Sequence, residues 1–144
     1  MFCRCPKLKK KGATFILLLV FGSLLVLLMV PFVVFVGASS GWSETYGGIN
    51  ADGGLALIQK SDGGYLLAGY TRSFGAGKED FWLVKIDLSG NAQWNCTYGG
   101  AESDIAFSVI ETSDNGYAVA GYTGSFGAGG DDFWLIKTDS SGNM

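Results

Sequence analysis

The chain has 144 residues, of which 48 % are hydrophobic, 14 % aromatic and 16 % charged, with 23 glycines, no histidine and a net charge of −3. Without histidine there is no Ser-His or Cys-His pair, no imidazole metal ligand and no imidazole switch near neutral pH. Three cysteines are too few for a disulfide scaffold or a four-cysteine zinc site, and two prolines among abundant aromatics argue against disorder.

The averages conceal two different polymers. Residues 1–38 carry Arg4, Lys7, Lys9, Lys10 and Lys11 and no acid, a net of +5, whereas residues 39–144 carry 5 basic and 13 acidic residues, 5 − 13 = −8. An acidic module has no basic face to neutralise phosphates, so nucleic acid is not expected as a partner.

Residues 1–12 form a basic N-terminus expected to be cytoplasmic. Residues 13–38 are uninterruptedly uncharged and as a helix would reach ~39 Å, beyond the roughly 30 Å hydrocarbon core. The segment is also longer than the apolar stretch of about 7–15 residues typical of a cleavable signal peptide. It therefore predicts a transmembrane signal-anchor helix, with the membrane as a partner through 13–38. The lysines on its N-terminal side predict a cytoplasmic N-terminus and an extracellular module. The alternative is a long signal peptide cleaved near Ala38, since Val36-Gly37-Ala38 ends in small residues, leaving a secreted module. Cys3 and Cys5 read as cytoplasmic thiols or acylation points beside the membrane. Cys96, in the module, reads as a small buried residue, as no base is available to activate it.

After a short linker, 39–41, a repeat takes over. Trp42 recurs as Trp94, Tyr46 as Tyr98, and Ala68-Gly69-Tyr70-Thr71 as Ala120-Gly121-Tyr122-Thr123. Likewise Asp80-Phe81-Trp82-Leu83 recurs as Asp132-Phe133-Trp134-Leu135. The offset is always 52, and 29 of 51 aligned pairs are identical. The units are 42–93 and 94–144. Within the first, strands are expected at 42–46, 55–60, 65–71 and 81–87. Asp62-Gly63 between the second and third has the composition of a type I′ turn, and 87–91 is a second turn. The second unit follows by offset. Glycines recurring every few residues exclude a helical module.

Four short strands at a fixed period are the pattern of a β-propeller blade. The motifs W-x-x-T-Y-G-G (42–48, 94–100), D-G-G-Y/D-N-G-Y (62–65, 114–117), A-G-Y-T (68–71, 120–123) and D-F-W-L-x-K-x-D-x-S-G-N (80–91, 132–143) resemble the prokaryotic extracellular β-propeller repeat family, the SBBP-like or PQQ-propeller-like repeats. The resemblance covers residues 42–144. It implies an all-β fold of two four-stranded antiparallel β-propeller-like blades, a partial propeller, behind one transmembrane α-helix. Members of the family are usually secreted or surface-anchored. Propellers close with about 4–8 blades, so two blades leave apolar faces open. The expectation is a fragment of a longer repeat protein, the alternative being several chains assembling with copies of themselves.

Candidate sites are sparse. The loops 77–80 and 129–132 bring Asp80, Asp131 and Asp132 forward as oxygen ligands for Ca²⁺, but the spacing matches no EF-hand, and Asp and Gly are also what turns require. Asp87 and Asp139 are expected to bond to the backbone of their own turns. Asn95-Cys96-Thr97 is an N-glycosylation sequon, with Asn95 and Thr97 on the strand face opposite Trp94 and Tyr98. The recurring aromatics read as packing between blades, so no cofactor is assigned. The acids recur with the repeat, and no unique constellation stands out as catalytic.

The expected role is therefore a membrane-anchored extracytoplasmic module, structural or binding and not an enzyme, whose partners are further blades, copies of itself, or an unidentified surface protein or glycan. The alternative is part of a propeller enzyme, a quinoprotein-like dehydrogenase or hydrolase, whose catalytic residues lie outside this chain.

Overall fold

The computed structural model describes residues 41–144. The basic N-terminus, the expected membrane helix at 13–38 and both N-terminal cysteines lie outside the described residues. Among those described, no helix is long and apolar enough to cross a membrane.

The described chain is all-β, with seven strands: β1 (Asp52–Gln59), β2 (Tyr65–Thr71), β3 (Asp80–Ile86), β4 (Ala92–Tyr98), β5 (Asp104–Glu111), β6 (Tyr117–Thr123) and β7 (Asp132–Thr138). They form two antiparallel sheets, a four-stranded sheet 1 in the order β1-β2-β3-β4 and a three-stranded sheet 2 in the order β5-β6-β7.

Two expectations need correction. The second sheet has three strands rather than four. The first expected strand, 42–46, is not a strand at all. Its counterpart one repeat later is β4, which is hydrogen-bonded to β3, with Leu83 opposite Cys96 and Val84 opposite Asn95. The tryptophan segment of a unit thus closes the sheet made by the unit before it. Residues 42–46 have no preceding sheet among the described residues, and an extended segment without a neighbour's amides and carbonyls forms no ladder.

The first strand of each sheet, β1 and β5, starts three residues earlier than its apolar residues suggest. A bulge between Gly54 and Ala56 lets Gly53 and Gly54 pair with Tyr70 and Gly69, and the same irregularity recurs between Ala106 and Ser108. The bulges explain the glycine of A-G-Y-T. A β-carbon on Gly69 would strike the Gly53 carbonyl oxygen, and one on Gly121 the Ile105 carbonyl oxygen.

The hairpin turns also differ from the expected type. Gly63 N–H donates to Lys60 O at 2.9 Å and Lys60 N–H to Gly64 O at 2.8 Å. Of the turn residues only Gly63 (φ 85°) and its equivalent Asn115 (φ 63°) are left-handed. That is a type I turn followed by one left-handed residue, the three-residue hairpin, rather than type I′, which needs two. The Asp87 turn behaves as expected: its Oδ1 accepts from Ser89 N–H and Asn91 N–H, both at 2.8 Å, and Asp139 repeats this with Ser141 and Asn143.

The core lies between the sheets. Period-2 alternation gives each sheet two faces. Leu66, Ala68, Phe81, Leu83 and Cys96 of sheet 1 pack against Ala106, Val109, Tyr117, Val119 and Ile136 of sheet 2. These two sets are not equivalent in the repeat. Sheet 1 contributes the face that holds Phe81 and Leu83, which we call the front, and sheet 2 contributes the opposite face, the back. The units therefore stack front to back.

Candidate functional site

Asp80, Asp131 and Asp132 do not come together. Asp80 is buried at the start of β3, where its Oδ2 accepts from the N–H groups of Ala76 and Gly77, each at 3.1 Å. Asp132 does the same in the equivalent loop, accepting from Ala128 N–H at 3.0 Å. Both fasten the glycine loop ahead of their strand. Asp131 is exposed beside that loop. Among the described residues no three acid, cysteine or histidine side chains converge as a metal-binding group.

A second set of acids, not singled out in the sequence, performs a related task at the starts of β1 and β5. Asp52 Oδ2 accepts from Ser73 Oγ at 2.7 Å and Gly48 N–H at 2.8 Å, while Thr71 Oγ1 donates to its Oδ1. Asp104 Oδ2 accepts from Ser125 Oγ at 2.7 Å and Gly100 N–H at 2.9 Å. The signal was present in the sequence, since Asp, Thr and Ser recur at the same offset. Only the fold shows that one carboxylate ties the glycine pair, the end of the neighbouring strand and the loop beyond it.

The two sets meet at the seam between the sheets. Asp80 and Asp104 are both buried and both approach Gly99. Burial pushes the Asp80 carboxyl above the ordinary range and repulsion from Asp104 adds to it, against the loop amides that favour its charge. Asp104 Oδ1 is buried with no hydrogen-bond partner. Nearby, Glu79 accepts from Ser103 Oγ and from Arg72, with Arg72 Nε at 2.8 Å. Those contacts hold its carboxyl below the usual range, the Ser103 hydrogen bond most of all. Glu79 O also accepts from Asp104 N–H at 2.7 Å, the backbone link between the sheets. Each of these acids has a partner within the fold, and the arrangement fastens loops and sheets.

Asn95 is buried on β4, and its Oδ1 accepts from Trp82 Nε1 at 3.3 Å. Its carboxamide thus sits on the back of sheet 1, under Trp82, although no second sheet of the described residues covers that face.

The apolar surface is where the two units differ most. Phe81 and Leu83 are wholly buried on the front of sheet 1, whereas their equivalents Phe133 and Leu135 on the front of sheet 2 are 79 % and 62 % exposed. Ile110, the equivalent of the core-packed Ile58, is 58 % exposed. All three lie on the same face of one sheet, and exposed apolar faces of this kind mark interaction sites. The back of sheet 1 holds Trp82, Val84 and Ile86, with Tyr46, Tyr65, Leu67 and Phe74 packed against them. A shallow recess there is lined by Tyr46, Asp52, Leu67, Trp82 and Val84. Compared with protein-family models and with curated proteins, the chain matches none.

Proposed function

We propose that residues 42–144 are a β-propeller-type repeat module with a structural or binding role at the cell surface, held to the membrane through residues 13–38. The observation that carries the role is the open front of sheet 2, where Ile110, Phe133 and Leu135 face solvent although the same positions of sheet 1 form the core. A sheet that leaves this much apolar area uncovered is made to meet another surface. The acids support the same reading, since the buried carboxylates are engaged in fastening loops and not gathered at an accessible site. The uncharged segment behind five basic residues supports export and attachment.

The experiment is protease accessibility on intact cells expressing the full chain with a C-terminal epitope. Loss of the epitope without lysis, while the chain stays in the membrane fraction, is the expected result. An epitope protected until lysis overturns the surface assignment, and an epitope recovered only from the medium replaces the anchor by a cleaved signal peptide.

A further inference from the structure

We propose that the open front of sheet 2 receives a second copy of this chain, whose residues 42–46 add the fourth strand to sheet 2 and whose sheet 1 back face covers it. The inference rests on the repeat-module reading and deepens it by naming the partner.

The internal contact between the sheets supplies the template. Sheet 1 presents its front to the back of sheet 2, and its fourth strand, β4, comes from the unit that follows. β4 is bound on two sides. One edge pairs with β3, and its side chains rest on sheet 2, where Trp94 packs on Tyr117 with ring centroids 6.0 Å apart and Tyr98 OH donates to Gly142 O at 2.6 Å.

Residues 42–46 already make the second half of that arrangement. Trp42 packs on Tyr65 at 6.3 Å, and Tyr46 OH donates to Gly90 O at 2.7 Å. They lie against sheet 1 as β4 lies against sheet 2, without a strand to pair with among the described residues. At the other end, the outer edge of β7 has no strand partner among the described residues, and the front beside it is apolar and exposed. The open edge and face beside β7 match the half-site that residues 42–46 make on sheet 1, and a second copy fits both.

Shifting the β3–β4 register by one repeat gives the expected pairing. Leu83 opposite Cys96 becomes Leu135 opposite Glu44 of the second copy, and Phe81 opposite Tyr98 becomes Phe133 opposite Tyr46. Such a contact is head-to-tail, and it closes into a ring where the rotation per copy divides a full turn. With about 4–8 sheets in a closed propeller, a ring takes two to four chains.

The test is the protein mass of the full chain in detergent micelles by light scattering. Two to four copies per particle are expected, falling to one with Leu135→Glu. Because Leu135 is 62 % exposed, that variant should keep the β-sheet circular-dichroism spectrum of the parent. A double variant, Glu44→Cys with Leu135→Cys, should form a reducible interchain link that peptide mapping places between positions 44 and 135, and neither single variant should form it. A monomeric parent overturns the proposal, as does an oligomer that survives Leu135→Glu and gives no 44–135 link. A monomer that is still exported removes the self-assembly and leaves the surface-module reading standing, whereas failure of export leaves the assembly measurable in detergent.

Discussion

Asp80 of sheet 1 and Asp104 of sheet 2 turn their carboxylates toward one point, the position a β-carbon would occupy on Gly99. Such a carbon would lie 2.6 Å from Asp104 Oδ2 and closer still to Asp80 Oδ1. Neither carboxylate can withdraw easily, because Asp80 is held by two loop amides and Asp104 by Gly100 N–H and Ser125 Oγ. Gly99→Ala should therefore cost about 2–3 kcal/mol, the size of an overpacking defect in a tight interior. Urea unfolding followed by tryptophan fluorescence measures it, with Gly41→Ala as a control, since nothing lies within 4 Å of that β-carbon.

Asp80 also sets a pH response. Its folded pKa is raised, by burial first and by Asp104 second, so between the unfolded and folded values the native state holds a proton that the unfolded state has released. Its contribution to stability falls as pH rises through that window, which begins near the ordinary aspartate value of about 3.9. Asp80→Asn keeps an acceptor for the loop amides and removes the buried charge. The variant should melt higher than the parent at pH 7, with the gap closing toward pH 4. A parent that melts higher at pH 7 would contradict this account.

The acid side of the profile belongs to other groups. Asp62 is held below the usual carboxylate range chiefly by its hydrogen bond from Lys85, and Glu79 chiefly by Ser103. A depressed folded pKa gives stability that is present above the unfolded value and lost as pH falls through the folded one. The thermal midpoint should drop steadily below about pH 4, and Glu79→Gln should shrink that drop while lowering the midpoint at pH 7.

Lys60 and Glu111 join the sheets as an ion pair, with Lys60 buried and its Nζ 4.7 Å from the Tyr117 ring centroid. Breaking a buried pair costs more than its Coulomb attraction suggests, because one charge stays behind without its partner. Glu111→Gln should cost about 1–2 kcal/mol, discounted for the partial exposure of Glu111. Lys60→Met with Glu111→Gln should recover most of that loss. A double-mutant cycle on the urea midpoint reads the coupling.

Gly121 tests the bulge. A β-carbon there would strike the Ile105 carbonyl oxygen and lie 2.8 Å from Phe81 Cζ, so both the strand pairing and the packing between sheets stand in its way. Backbone cannot yield as a flexible side chain can. Gly121→Ala should cost about 3 kcal/mol or more, and hydrogen exchange should show β5 amides losing protection before those of β3.

The sequence by itself determined the strands with a strong apolar pattern. Strands β2, β3 and β4 are where alternation, β-branched and aromatic residues and flanking turns put them, and the offset of 52 carries the same pattern to β6 and β7. It also determined the Asx turns at Asp87 and Asp139, because an aspartate two residues before the amide it captures is a local matter. It misjudged the hairpin type, since Asp-Gly serves both a type I′ turn and a type I turn ending in a left-handed glycine.

What only the tertiary structure decided is which neighbour each segment belongs to. Residues 42–46 and 94–98 share Trp, Thr and Tyr at equivalent positions, yet one is a strand and the other is not. The ladder depends on a partner edge that is remote in sequence. For the same reason Phe81 is buried and Phe133 exposed, although both stand in the same Asp-Phe-Trp-Leu run. A periodic sequence encodes equal faces at every unit, and burial comes from what stands next to each face.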